Sequence, residues 1–438
     1  MGNNNTKVFY VGNITFESLS QGLRRKARNS IVNSMTLLIA LALSSVCFGQ
    51  DWNQWRGPKR DAVVASFSAP GTWPDKLKPL WKVPVGIGHS SPVVAGKRVY
   101  LHSRKDENEV VSCFDLDSGK QLWADSYPTP YKMNPAAVAH GKGPKSTPVV
   151  SDNKLFTLGI SGILSCYDAA SGKLLWRREF SKTNKSTSPL FGTAMSPLVD
   201  RGLLIAHVGG HDSGTLAAFD SGTGETRWEW SGDGPGYASP IIVEIGGTRQ
   251  IVTQTQKHIL GVSASNGQLL WEMPFETEFL QNIVTPVVYK QTLILSGIDK
   301  GVFAINLAQR GGKWVPEQLW QNTDVSMYMS SPVVSGDYIY GLSHKRKGQF
   351  FCLDARNGKA LWLSNGREGD NSAALLAGEF LLMLNEGAEL VVLRADPKQL
   401  TVLKKYSVAD SPTWAHPVLV GKRLLIKDSA SLALLSLE

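Results

Sequence analysis

Charged side chains are scarce. They make up 19% of the 438 residues, against about 25% in an ordinary soluble chain. A polar helical bundle or coiled coil is excluded by that shortage together with abundant glycine and aromatics. Cysteine is rarer still, with four in all. No CxxC pair occurs, so a zinc ribbon or thioredoxin-like motif is excluded. GxSxG, HExxH, P-loop and EF-hand patterns are also missing, and with them the chemistries those motifs carry. The apolar run at residues 37–43 falls short of the ~20 residues that cross a bilayer.

Glycine and tryptophan are plentiful, at 42 and 13 residues, and apolar residues make up 42%. That is enough to fill a large core, which excludes bulk disorder. Many turns and many aromatics favour a β-rich fold. The formal charge of +9 is uneven. Residues 1–50 hold Lys7, Arg24, Arg25, Lys26 and Arg28 against Glu17. Removing that excess of four leaves +5, an ordinary solubility charge. No basic stripe carries interleaved aromatics, so nucleic acid is not an expected partner.

The basic cluster at 24–28, the apolar run at 37–43 and the small residues Ser44, Ser45 and Gly49 follow the order of a secretory signal. Residues 1–49 are therefore read as an export signal, and a periplasmic or otherwise exported protein is expected. A twin-arginine signal would carry apolar residues where Lys26 and Arg28 stand. Cys47 admits a lipoprotein anchor, but Val46 occupies a position that calls for a small residue. Cys113, Cys166 and Cys352 each precede an aspartate by two residues. They occupy one phase of a repeat on different copies, which keeps them apart, so they read as small buried hydrophobes.

The repeat has two phrases. The first is FDLDSGKQLW (114–123), YDAASGKLLW (167–176), FDSGTGETRW (219–228), VSASNGQLLW (262–271) and CLDARNGKALW (352–362). A glycine lies four residues before each tryptophan. Trp320 ends a copy stretched through Gly311, Gly312 and Trp314; Trp81 is the tail of a copy without a front; Tyr406 stands where a degenerate copy should have tryptophan. The structural repeat tryptophans are thus Trp81, Trp123, Trp176, Trp228, Trp271, Trp320 and Trp362. The second phrase runs SSPVVAGKRVY (90–100), STPVVSDNKLF (146–156), MSPLVDRGLLI (195–205), ASPIIVEIGG (238–247), VTPVVYKQTLI (284–294), SSPVVSGDYIY (330–340) and HPVLVGKRLLI (416–426). SAALLAGEFLL (372–382) is the same phrase without its proline. Each unit reads as four short antiparallel strands; in the sixth they are expected at 332–335, 338–343, 349–354 and 360–363. Aspartate caps the turn before the tryptophan, and glycine supplies positive φ there.

A four-stranded unit recurring about every 45 residues predicts a β-propeller. The fold class is all-β with eight blades; seven is the alternative if residues 372–406 form no full blade. The fourth strand at Trp81 should complete the blade of residues 416–437 and close the ring. Residues 50–80, with Trp52, Trp55 and Trp73, are expected to strap the outside of the propeller at 81–438.

These phrases resemble the repeats of the pyrroloquinoline quinone (PQQ)-like β-propeller superfamily, across residues 81–438. Residues 51–60 (DWNQWRGPKR) resemble the lead-in of exported bacterial propellers of that superfamily. The resemblance implies one of two classes: quinoprotein dehydrogenases that bind PQQ and calcium above the ring, or non-enzymatic scaffolds such as the propeller lipoprotein of the outer-membrane β-barrel assembly machine. Quinoprotein alcohol dehydrogenases carry adjacent cysteines in a vicinal disulfide; this chain has no Cys-Cys pair, and no CxxCH for haem.

His207 and His211 frame HVGGH, but Gly209 and Gly210 put them in a strand-to-turn context rather than on a helix face, so no metal site is expected. In a propeller the residues before each first strand ring a funnel. Here they are His89, Lys145, Met195, Tyr237, Ile283, Val284, Met329, Asn371 and Trp414, with Asn282, Tyr328, Asp370 and His416 nearby. His89, Tyr237, Asn282, Tyr328, Asn371, Trp414 and His416 are the ligand-binding candidates. Two long loops, 124–146 and 177–195, are candidates for a rim that holds a protein partner or for lids on their own blades. The leading expectation is an exported, non-catalytic, monomeric scaffold for a protein partner or small ligand at the funnel face, without a cofactor. The alternatives are a PQQ- and calcium-dependent oxidoreductase, and carbohydrate or peptide binding in the funnel.

Overall fold

A computed structural model describes residues 1–2, 51–180 and 186–438. The basic cluster and apolar run of the export signal and the anchor at Cys47 lie outside the described residues. Eight antiparallel sheets follow one another along the chain. Blades 1 to 7 span residues 93–128, 149–178, 198–230, 241–274, 287–322, 333–363 and 372–407. Blade 8 joins Val418–Val420, Arg423–Lys427 and Ser431–Ser436 to Lys78–Pro84, which pairs antiparallel with Ser431–Ser436. One blade thus contains both ends of the propeller, and residues 372–407 form a full blade. Blade 6 consists of Val333–Ser335, Tyr338–Ser343, Gln349–Asp354 and Ala360–Leu363, one residue from the expected bounds.

Tryptophans lock six of the eight blades to the next one. Trp123 lies in the outer strand of blade 1, and its Nε1–H donates to the Ala169 carbonyl of blade 2 at 3.2 Å. The same bond joins Trp81 to Leu116, Trp176 to Ser221, Trp228 to Ala264, Trp320 to Ala355 and Trp362 to Asp396. Each accepting residue in the first five pairs follows the first residue of a turn, as Ala169 follows Asp168. Asp168 Oδ1 accepts from the Ser171 N–H, and its carbonyl accepts from the Gly172 N–H. Gly172 has φ +75°, and a Cβ there would lie 2.5 Å from the Trp123 ring. Glycine therefore serves two ends, positive φ and room for the indole. Trp271 departs from this pattern. The stretched hairpin of blade 5 offers no such turn, and the indole donates to Gln250 Oε1 within its own blade. Cys113, Cys166 and Cys352 are buried free thiols on three blades, and burial pushes each up to about 12.

The Ser/Thr-Pro phrase builds a second lock around the channel. The His416 N–H donates to Ser91 Oγ, Ser91 N–H to Thr147 Oγ1, Thr147 N–H to Ser196 Oγ, Ser196 N–H to Ser239 Oγ, Ser239 N–H to Thr285 Oγ1 and Thr285 N–H to Ser331 Oγ. A belt of backbone-to-hydroxyl bonds thereby runs from blade 8 through blade 6. Blade 7 reverses it, since the Ser372 N–H donates back to Ser330 Oγ.

Residues 51–64 correct the expected outer strap, because they run inside the channel. Trp52 bridges Val94 of blade 1, and the Asn53 carbonyl accepts from the Val150 N–H of blade 2 while its Nδ2 donates to the Val150 carbonyl. Trp55 Nε1–H donates to Thr285 of blade 5, Arg56 to the Pro332 carbonyl of blade 6, and Arg60 to the Ser196 and Pro197 carbonyls of blade 3. Val63–Val64 then pairs parallel with Ser372–Ala377 of blade 7. The segment makes a plug because the inner strands present unpaired carbonyls and N–H groups that it satisfies. Its turn is strained: Arg56, Arg60 and Ala62 have φ near +60°, a region costly for non-glycine residues. Beyond it, Trp73 and Phe67 pack on Phe380, and Tyr406 donates to the Pro74 carbonyl. Those contacts lead the chain outward to the outer strand at Trp81.

The Trp–Gly lock is testable by two substitutions. Gly96 has φ +58° with open space around a Cβ. Gly96→Ala should cost about 1–2 kcal/mol of unfolding free energy from φ alone, whereas Gly172→Ala should cost about 1–3 kcal/mol more through collision with Trp123. Urea unfolding of both variants measures the difference.

Candidate functional site

The plug turns the channel into a blind funnel. At the apex, Trp55 shares its floor with the belt residues Ser196, Ser239, Thr285 and Ser331. The space above has a volume of about 350 Å³. Its walls come from loops leading into the blades. His89, Tyr237, Tyr328, Asn371 and Trp414 line it, as do Lys145, Ile283 and Met329. Five of the seven ligand-binding candidates thus meet around one cavity.

The other two do different work. Asn282 is fully buried. Its Nδ2 donates to the carbonyls of Thr255, Gln256 and Phe275, and its Oδ1 accepts from Thr277. It clamps the loop that carries Phe279 instead of facing the funnel. His416 lies beneath the floor, stacked on Trp52 at 6.2 Å and edge-on to Trp55 at 5.6 Å.

The two long loops bend inward. The first contributes Ala136, His140 and Lys145 to the lining; the second contributes Phe191 and Ala194. His140 packs edge-on against Trp414 at 5.0 Å, and its carbonyl lies 2.8 Å from His89 Nε2. Lys145 Nζ donates to the Phe191 carbonyl at 2.5 Å, and burial lowers the ammonium to about 8. Phe191 N–H in turn donates to the Tyr237 hydroxyl at 3.2 Å. Burial raises the Tyr237 and Tyr328 hydroxyls above the usual range. The sequence positions before each first strand gave the ring. They missed Trp55, Phe279 and His140; of these, loop length was the available signal for His140, which lies in the loop 124–146.

Polar groups of the lining are engaged largely by backbone. The belt hydroxyls accept backbone N–H bonds, and His89 reaches a carbonyl rather than a hydroxyl. Lys145 is the fixed cation, and no carboxylate lines the cavity among the described residues. His207 and His211 are not drawn together on a metal: His207 Nε2 reaches the Asp233 carbonyl, while His211 sits beside Asp212. The fully buried His102–Glu109 pair is a structural link, since Glu109 accepts from Tyr127 and from the Ile160 N–H of the next blade.

Burial lowers His89 to about 3, and His207 and His416 to about 4, against about 6.5 in the unfolded chain. Between pH 6.5 and 4 the unfolded state binds protons that the folded state refuses, so stability falls as pH drops through this window. Unfolding free energy should decrease by about 3–5 kcal/mol from pH 6.5 to pH 5. His89→Gln should flatten that slope by about a third, measured by denaturant titration at each pH.

Comparison with known proteins agrees with this geometry. The family model described as outer membrane protein assembly factor BamB matches residues 107–364, more than half of the chain. The Yersinia pestis protein of that name is 24% identical over 277 residues, 62% of this chain and 63% of that one. The match therefore spans less than two thirds of that relative's length. Among solved structures, BamB from Moraxella catarrhalis aligns with a TM-score of 0.59 at 13% identity, covering 82% of this chain and 97% of that one. Quinohemoprotein alcohol dehydrogenase from Comamonas testosteroni aligns at 0.63 and 14% identity, covering 89% and 80%. These structural likenesses carry the eight-bladed fold, and the family match carries the assignment: the chain belongs to the BamB family of PQQ-like propellers.

Proposed function

We propose that this protein is an exported, non-catalytic scaffold that holds a partner protein at the funnel face. The carrying observation is a blind, aromatic-walled funnel with apolar residues standing out at its mouth. Phe279 is 64% exposed and Val138 62%, with Ile87 and Leu190 also exposed. Phe279 and Leu280 hold φ near +55°. Strain at an exposed aromatic belongs to binding surfaces rather than to core packing. The funnel takes a large apolar side chain from a partner loop, and the rim covers the flanking backbone. Family membership supports the same reading, because the relatives are named for outer membrane protein assembly.

The oxidoreductase alternative has a poorer fit. Calcium takes six to eight oxygen ligands, with carboxylates among them. The lining supplies none among the described residues, and the three described cysteines lie on separate blades. The residues present do not fit a PQQ–calcium pair.

Recovery of partners from the native envelope, compared between variants, tests the proposal. Trp414→Ala and Phe279→Ser should each weaken capture by about tenfold or more, as loss of an aromatic anchor does, with unchanged circular dichroism. Equal recovery by wild type and both variants would remove the funnel from the reading. Quinone absorbance surviving desalting, with dye reduction by alcohols or sugars, would replace it with the enzyme.

A further inference from the structure

Two arginines of the plug are buried without an ion pair. Neither Arg56 nor Arg60 makes a salt bridge among the described residues, and both are nearly inaccessible to solvent. Arg60 spends its two terminal nitrogens on Gln54 and on the Ser196 and Pro197 carbonyls. Arg56 is less satisfied. Its Nη2 donates to the Asp61 and Pro332 carbonyls, while Nε and Nη1 find no protein partner. The nearby acid, Asp61, turns Oδ1 to the Val63 N–H. Burial lowers Arg56 to about 10, offset in part by the Asp61 charge, and lowers Arg60 to about 9, where the Arg56 charge adds to the effect. A guanidinium cannot shed its proton near neutral pH, so a buried one requires a compensating partner.

A second observation points to the same spot. A cavity of about 30 Å³ lies under Trp55, bordered by Arg56, Ser331, Asn371, Ser372 and His416. The Ser372 hydroxyl is buried and also lacks a partner. His416 turns both ring nitrogens to backbone, 2.9 and 3.0 Å from the Pro417 and Ala374 carbonyls, and as a neutral imidazole donates to one of them. Unused donors from a cation and a hydroxyl therefore border one small chamber that no carboxylate lines. One water needs about 10–15 Å³ by this measure of volume. By that measure the chamber has room for about two waters or one single-atom ion.

We propose that this cavity binds a monatomic anion of the halide class, held between Arg56 and Ser372. The ion neutralises the plug and fixes Trp55 above it as the funnel floor. The chamber shares Trp55, Met329, Ser331, Asn371 and Trp414 with the funnel lining.

Bromide is the probe. Crystals of the full chain grown in sodium bromide should show an anomalous peak between Arg56 and Ser372. The melting temperature should rise by about 1–2 °C per tenfold increase in bromide, and not in sodium gluconate of equal ionic strength. Arg56→Met should abolish both effects. If that variant fails to fold, Ser372→Ala keeps the backbone bond to Ser330 and should raise the bromide concentration needed several-fold. Ordinary water density without anomalous signal, bromide confined to the surface, or melting that follows ionic strength alone would overturn the proposal.

Discussion

Every blade of a propeller ends inward on a strand with one unpaired edge, and eight such edges face one narrow channel. A buried N–H or carbonyl left without a partner costs about 1–3 kcal/mol, so the channel has to be furnished. Two devices do this. The Ser/Thr-Pro belt passes a hydrogen bond from blade to blade, and its proline removes a donor where the strand has no neighbour. The plug at 51–64 then answers carbonyls and N–H groups on blades 1, 2, 3, 6 and 7. Those bonds hold Arg56, Arg60 and Ala62 in backbone conformations they would otherwise avoid.

The outer locks and the inner ones have different consequences. The tryptophan–carbonyl bonds fix the angle between blades and leave the faces free. The belt and plug decide what a ligand meets. With Trp55 at the apex, the ring becomes a cup rather than a pore, and its floor is built from a segment outside the repeat. The walls are built from loops whose length varies between blades, and aromatic groups reach the lining from the loops leading into blades 1 to 6 and into blade 8. Specificity on this fold resides in the non-repeating pieces, while the repeat supplies the frame that holds them.

Repetition made much of the frame legible. Trp123 and Gly172 belong to different copies, yet their recurrence at fixed spacing revealed both the blade and its turn, and the orphan strand at Trp81 revealed the closure. The funnel ring was legible for the same reason: His89, Tyr237 and Trp414 share one phase. Three features escaped. Trp271 has the right phase, but the stretched copy that follows lacks its partner turn, and the new bond to Gln250 shows only in space. Asn282 has the right position along the chain, but its amide turns toward three carbonyls, and phase does not set side-chain direction. The plug occurs once and has no period, and its positive φ values fall on Arg56, Arg60 and Ala62, where no glycine gives warning.

Blade 7 shows why the degenerate copy is degenerate. Its phrase has Ala374 where the other copies have proline, and its first strand is six residues long, Ser372–Ala377, against three in blade 1, Val93–Ala95. Proline is confined to edge strands because it cannot donate. The inner strand of blade 7 is not an edge, since Val63–Val64 lies beside it as a fifth strand. At the same blade the belt reverses, with Ser372 bonded back to Ser330, and His416 reaches across to the Ala374 carbonyl. The repeat pattern is lost at the position where the ring receives its plug. A departure that looks like decay along the sequence is the docking edge of the one segment that gives the funnel a floor.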